Sequence, residues 1–291
     1  MPNEDPIRIF IGSGEASLLE RKTLMYSLHK HTKRNLDIHV FNGTHNSIEH
    51  DQDEPVPAPL SLKLKYRNGL TEFGLCRYLI PQVCQNRGKA IYLDSDIICL
   101  ADIGELWDAD LRNLDFLALP VQLSESGEAL YATSVALINC ETCSFDLELI
   151  FSEIDHGLYS HYPDFSRMSS TFRRCHPYRI GSLDPHWNSL DYWDRETKAI
   201  HYTCLSTQPW KYHNHPYGAL WFKYFREAIG AGYVSPEDIY LSTERAYVRR
   251  DIMQGNSWQR SVVKRFRLNV AEHIAKAKSK FVFGRAKDIT T

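Results

Sequence analysis

Within the run KAIYLDSDIICLADIGELW, residues 89–107, two aspartates separated by one residue, Asp94 and Asp96, close an otherwise apolar segment. On extended chain, side chains two positions apart point to the same face. The pair therefore offers hard oxygen ligands able to share one divalent cation, directly or through water. A cation held there binds the phosphates of a nucleotide diphosphate and offsets the negative charge that builds as a sugar leaves it. His201, at the end of another predicted strand, offers a nitrogen ligand. A mixed carboxylate and imidazole set tilts the choice from magnesium toward manganese. The same residues also have ordinary uses, since aspartates cap turns and interior histidines are satisfied by hydrogen bonds.

The elements that must position these groups are legible as alternating patterns. IRIFIG (Ile7 to Gly12) reads as a strand, SLLERKTLMYSLHKHT places Leu18, Met25 and Leu28 at helical spacing, and LDIHVF (Leu36 to Phe41) reads as a second strand. HDQDEPVPAP is acidic and proline-rich, which predicts a loop. TEFGLCRYLIPQVC predicts a helix with Phe73, Leu75, Leu79 and Val83 on its apolar side, followed by Gly88 and the strand KAIYL. DFLALP, SVALINC and KAIHYTC supply further strands, IGSLDPHWNSLDYW a structured loop, and the pattern turns helical from Ala219. Strand and helix in alternation predict a largely parallel sheet with helices on both faces. In such sheets ligands bind beyond the carboxyl ends of the strands, where Asp94 and Asp96 stand.

The 291 residues are enough to bury one large core. No apolar run reaches bilayer length, and MPNEDPIRIF lacks the features of a signal peptide, so the expected location is cytoplasmic. Seven cysteines, including the Cys140 and Cys143 pair, suit reduced, mostly buried thiols. Of the 34 Lys and Arg and 36 Asp and Glu, nine and two fall in residues 257–291, so a +7 tail follows a −9 body. An acidic body without zinc-finger or RNA-binding motifs speaks against a nucleic-acid partner. Val262, Phe266, Val270 and Ile274 recur every fourth residue among the tail's basic residues. That pattern predicts a basic amphipathic helix, able to pack on the body or lie at an anionic inner membrane face.

The strand, the DSD and the following IICLADIGELW resemble family-8 glycosyltransferases, as do TEFGLCRYLIP, LDPHWN (Leu183 to Asn188) and IHYTCLSTQPW (Ile200 to Trp210). Together these motifs extend over most of residues 7–230. The resemblance implies a GT-A-like single domain over residues 1–256, α/β with a mainly parallel mixed sheet, and a helical C-terminal extension over 257–291. It further implies a UDP-sugar donor, Mn2+ with Mg2+ as the alternative, and hexose transfer with retention to a glycan, lipid-linked or protein hydroxyl. By that resemblance Asp94, Asp96 and His201 are metal ligands, Ser95 faces the donor ribose, and Arg77 contacts the donor.

Several positions depart from the family's pattern. Thr133, Ser134 and Val135 stand where Asn-Ser-Gly is usual, leaving Ser134 as the donor-facing candidate. Asp164 falls near the usual Asp-Gln pair, with Phe165 in place of the glutamine, and is the candidate carboxylate for supporting the sugar cation. Gln208 replaces the diphosphate-binding lysine before Pro-Trp, with Lys211 or His213 as its substitute. Aromatic residues crowd the later half, and two or three of them are expected at an acceptor, with Asp184 and Asp191 among them as hydroxyl acceptors. Two other readings stay open: a nucleotide-sugar-binding protein without transfer, and a haloacid-dehalogenase-type phosphohydrolase. The latter needs its DxD near the chain start and a later acidic pair on a strand, neither of which is present.

Overall fold

The computed structural model describes residues 5–50, 53–59, 74–122 and 129–253. Phe73 and the predicted tail helix at 257–291 lie outside the described residues, so the division at residue 256 has no structural counterpart here.

The chain opens with β1 (Ile7–Ser13), α1 (Leu18–His31), β2 (Leu36–Asn42), β3 (Ser47–His50) and the short β4 (Val56–Pro57). Next come α2 (Cys76–Val83), β5 (Lys89–Asp94), β6 (Ile97–Cys99), the short α3 (Gly104–Trp107), β7 (Phe116–Gln122) and β8 (Ala129–Asn139). The remainder holds α4 (Leu147–Asp155), α5 (Ser170–Cys175), β9 (Ile180–Ser182), β10 (Ser189–Leu190), β11 (Ala199–His201), α6 (Gly218–Gly230) and α7 (Pro236–Glu244). The proline-rich stretch expected as loop contributes His50 to β3 and Val56–Pro57 to β4.

An eight-stranded sheet runs β4-β3-β2-β1-β5-β8-β7-β9, and a three-stranded sheet runs β10-β11-β6. The expected α/β GT-A architecture is present. The sheet is less parallel than alternation alone suggests, because only β2/β1, β1/β5 and β7/β9 pair parallel in the large sheet. β8 runs antiparallel to both β5 and β7; residues 123–128, the six between β7 and β8, are too few for a parallel crossover.

Side-chain alternation splits the core across the large sheet. Phe10 and Tyr92 pack with α2 and α4 on one face, while Ile9, Ile11, Ile91 and Leu93 pack with α1 on the other. A third cluster, built on Trp210, Trp221 and Phe225, joins α6 to the small sheet. All seven cysteines are free thiols; five are buried, Cys140 and Cys143 among them, while Cys175 is exposed and Cys204 half-buried. Among the described residues no helix is long and apolar enough to cross a membrane.

Candidate active site

β5 is buried along its centre because both faces of this central strand are covered, and its polar end emerges at Asp94. Asp94 continues the Tyr92 face, which is the α2 face, and this decides its partners. The Tyr92 hydroxyl donates to Asp94 Oδ1 at 2.6 Å, and Arg77 Nη2 from α2 donates to the same oxygen at 3.0 Å. Arg77 Nη1 donates to Thr133 Oγ1 at 2.7 Å, and its guanidinium lies 4.6 Å over the Tyr92 ring. Arg77, expected at the donor, is therefore the largely buried ion-pair partner of Asp94.

The chain then turns at Ser95 and Asp96 into β6, whose antiparallel register pairs Ile97 with His201 of β11. The Tyr202 amide donates to the Asp96 carbonyl at 3.0 Å, closing this ladder beside the turn. As a result His201 Nε2 lies 3.0 Å from Asp96 Oδ1 and 4.0 Å from Asp94 Oδ2. Ligand atoms of Asp94, Asp96 and His201 fall within 4.8 Å of one another.

The opposite nitrogen of His201 is also engaged. Asn188, at the end of a 3-10 turn (Pro185–Asn188) capped by Asp184, presents Oδ1 at 3.0 Å from His201 Nδ1, while its Nδ2 donates to Ser134 Oγ at 3.0 Å. With its amide nitrogen spent on Ser134, Asn188 accepts from His201, so Nδ1 carries a proton and Nε2 faces the aspartates, donating to Asp96 when protonated and offering a lone pair to a cation when not. A residue that fixes a ligating imidazole in this way typically contributes 10- to 100-fold in metal affinity. If the trio holds a divalent ion, Asn188→Ala is accordingly expected to weaken its binding about 10- to 100-fold, as read by isothermal titration calorimetry. Unchanged affinity would mean that the imidazole needs no such support.

The electrostatics of the trio favour a cation. Burial pushes the Asp94 carboxyl above its ordinary value, against the pull of Arg77 and His201. Burial would lower His201, yet Asp96 and Asp94 together hold it above its ordinary value. Asp96 Oδ1 is buried, with His201 Nε2 3.0 Å away. Two carboxylates converging on an oriented imidazole form a donor set suited to a divalent ion, so the residues present fit such an ion.

Asp94, His201 and Arg77 form part of the wall of a cavity of about 260 Å³, close to the lower bound of small-molecule sites at about 300 Å³. Thr133 and Ser134 of β8 line it, as do Tyr162 and Arg167 from the segment after α4. Arg167 had no counterpart in the sequence reading. Only its place three residues after Asp164 hinted that this segment reaches the cavity, and the basic side chain does so where the acid does not.

The other sequence candidates are placed differently. Asp164 Oδ2 accepts from the Ser160 amide at 2.8 Å and hydroxyl at 2.6 Å, and its Oδ1 accepts from the Ser169 hydroxyl at 2.6 Å. Burial pushes the Asp164 carboxyl up, but those hydrogen bonds hold it below its ordinary value. It folds its own turn and is not on the cavity wall, so the structure does not bring it to the reacting position expected of it. Ser95 is buried between the two aspartates, with its hydroxyl unpartnered and off the cavity wall. Lys211 is exposed and also off that wall. Gln208 donates from Nε2 to Asp96 Oδ2 at 3.5 Å and to the Tyr202 carbonyl at 3.2 Å, so a neutral amide touches the aspartate where the family carries lysine. Asp184 and Asp191 are taken up by local bonds, Asp191 by the Thr203 hydroxyl, the Cys204 amide and His215. Of the later aromatics, Trp187, Tyr202, Trp210 and Trp221 are core, whereas Tyr192, Trp193 and Tyr212 are exposed.

Residues 9–145 match the family described as glycosyl transferase family 8. No curated protein matches the chain in sequence. Among solved structures, the chain is similar to the apo bifunctional glycosyltransferase WbbM, with a TM-score of 0.53 and 16% identity over 90% of this chain and 52% of that one. It is also similar to the galactosyltransferase LgtC in complex with donor and acceptor sugar analogs, with a TM-score of 0.58 and 15% identity over 81% of this chain and 100% of that one. A third similar structure is the glycosyltransferase GlyE of Streptococcus pneumoniae TIGR4, with a TM-score of 0.55 and 19% identity over 78% of this chain and 63% of that one. The chain thus spans about half the length of WbbM. At these identities the likeness establishes the shared fold, and the match over residues 9–145 brings with it the DxD strand and the helix before it. Residues 9–145 thus carry the pattern of glycosyl transferase family 8, and the chain shares the GT-A fold of these glycosyltransferases.

Proposed function

We propose that the protein transfers a hexose from a UDP-sugar to a hydroxyl acceptor with retention at the anomeric carbon, using a divalent ion, Mn2+ ahead of Mg2+. The observation that carries this reading is the convergence of Asp94, Asp96 and an oriented His201 beside the cavity. These three residues would hold the ion, which when bound offsets the charge of the departing diphosphate.

The chain's own groups divide the remaining work. Arg77 anchors the Asp94 carboxylate through Oδ1 and leaves Oδ2 facing His201. Arg167 adds positive charge to the cavity wall, which suits a diphosphate. Ser134 presents a hydroxyl at the same wall while steadying Asn188, so its expected donor contact is compatible with its position. Ser95 and Lys211 would reach a donor only if it extended past the cavity, and Lys211 opposes less of the diphosphate charge than a lysine at position 208 would. The exposed Tyr192 and Trp193 lie on the chain next to Leu190 of the cavity wall and offer flat apolar faces to an acceptor sugar. A glycan, a lipid-linked glycan and a protein hydroxyl all satisfy that description.

Thermal unfolding with UDP, with and without Mn2+, tests the donor assignment. UDP with Mn2+ at about 100 times its dissociation constant is expected to stabilise the fold by about 2.7 kcal/mol, and UDP alone by much less. No stabilisation under either condition would sink the reading.

A second reading, donor binding without transfer, is favoured by two observations: the Asp164 carboxylate is occupied by Ser160 and Ser169, and Gln208 stands beside Asp96. Release of free hexose from a UDP-sugar by the purified protein separates the two, because a binding protein leaves the donor intact. The basic segment 257–291 is proposed to contact an anionic membrane surface. Its deletion is expected to reduce co-sedimentation with phosphatidylserine-containing vesicles, and undiminished binding would reject that role.

A further inference from the structure

Away from the cavity, β2 and β3 bring together a second set of ligand-type side chains. Asp37 and His39 alternate onto one face of β2, and the antiparallel register sets His50 of β3 opposite His39. Both imidazoles aim at a single oxygen, with His39 Nε2 3.0 Å and His50 Nε2 2.9 Å from Asp37 Oδ1. The other oxygen, Oδ2, faces Arg8 Nε at 3.6 Å, which leaves Oδ1 to the histidines.

The rings are held in place. His39 and His50 stack with centroids 4.4 Å apart, and Phe10 stacks on His39 at 4.8 Å. His50 Nδ1 lies 2.8 Å from Asp53 Oδ2. A carboxylate behind one imidazole nitrogen, with the other nitrogen turned to a shared centre, is the arrangement that orients histidines on metals. The side chains of Asp37, His39 and His50 keep 24%, 22% and 32% of their exposure, so an ion and its water can reach them.

We propose that Asp37, His39 and His50 form a transition-metal site, separate from Asp94, Asp96 and His201, that takes Zn2+ or an ion of similar preference. Two imidazoles and one carboxylate suit Zn2+ far better than Mg2+ or Ca2+, which select all-oxygen sets. Ligand atoms of the three residues lie within 4.8 Å of one another, and no ion is present. Such an ion ties β3 to β2 near the end of the large sheet, where β4 is a strand of two residues.

The probe is Zn2+ alone, titrated into the full chain against a chromophoric chelator. The Asp96→Ala/His201→Ala background keeps the other cluster out of the count. One bound Zn2+ per chain is expected. Its affinity should fall at least about tenfold in His39→Gln and in His50→Gln, and about 10- to 100-fold in Asp53→Asn, which removes only the backing carboxylate. X-ray absorption of the bound ion should show imidazole nitrogens at about 2.0–2.1 Å.

No bound Zn2+ in that background, or an affinity indifferent to both histidine substitutions, overturns the proposal and leaves a hydrogen-bonded cluster. Should circular dichroism show the background variant unfolded, the count moves to the otherwise wild-type chain. There His39→Gln/His50→Gln must bind one Zn2+ fewer than wild type, and equal stoichiometry overturns the site.

Discussion

Asp96→Ala is expected to lower sugar transfer about 10²- to 10³-fold, the usual cost of losing one preorganised group that stabilises transition-state charge. Asp96 is the better target of the two aspartates for a structural reason. Asp94 is bound by Tyr92 and Arg77, so its removal would strand a buried guanidinium and disturb the fold. Asp96 is held more loosely, by His201 Nε2 at 3.0 Å from Oδ1 and by the long contact from Gln208 to Oδ2. Its loss therefore removes a proposed cation ligand and leaves the Tyr92, Arg77 and Asp94 contacts in place. The same variant should lose the Mn2+-dependent stabilisation by UDP and keep its metal-free melting temperature. Donor hydrolysis is the readout that needs no known acceptor. Hydrolysis and stabilisation both at wild-type level would remove Asp96 from the site.

Glu20→Gln is expected to stabilise the protein at pH 8.5 by about 2–4 kcal/mol while changing little near pH 4. Glu20 lies on the buried side of α1, 3% exposed, with Oε2 lacking a hydrogen-bond partner among the described residues. Burial pushes its carboxyl up to about 8; Lys211 pulls it down and Asp96 pushes it further up. An unfolded glutamate titrates near about 4.3, so between that pH and about 8 the folded chain holds a proton that the unfolded chain releases. The stability contributed by the neutral carboxyl is thus complete below about pH 4 and is lost as pH rises through about 8. Glutamine keeps the shape and cannot ionise, so its urea-unfolding free energy should fall less steeply with pH than that of wild type. Parallel curves for the two proteins would mean that Glu20 is ionised and hydrated in the fold. Lys211, expected at the donor, acts on Glu20 through its charge.

The trio of Asp94, Asp96 and His201 could be singled out before any fold was known because its side-chain chemistry is local. Asp94 and Asp96 are conspicuous at the end of KAIYL, where apolar patterning predicts a strand and polar residues have no packing role, and His201 ends a similar run. Strand β5, helix α1 and the strand β11 that carries His201 followed from the same patterning, as did reduced thiols in the core. The motif LDPHWN could be quoted, but the work of Asn188 within it could not. That role exists only because the 3-10 turn sets Asn188 between Ser134 and His201, 54 and 13 residues away.

Register decided the rest, and hydrophobic period does not encode register between distant strands. The spacing that suggested Asp164 counted residues along the chain, whereas the turn folds that carboxylate onto Ser160 and Ser169 and sends Arg167 to the cavity. Arg77, expected to contact the donor, is also the ion-pair partner of Asp94 because α2 lies on the Tyr92 face of β5. His50, assigned to a loop by its acidic and proline-rich surroundings, sits opposite His39 because β3 pairs antiparallel with β2. Side-chain type and short-range period, both local, singled out Asp94, Asp96 and His201 and most of the strands and helices. Which of those residues meet was left to the tertiary structure, because strand pairing and helix placement join positions whose separation along the chain carries no signal of their contact.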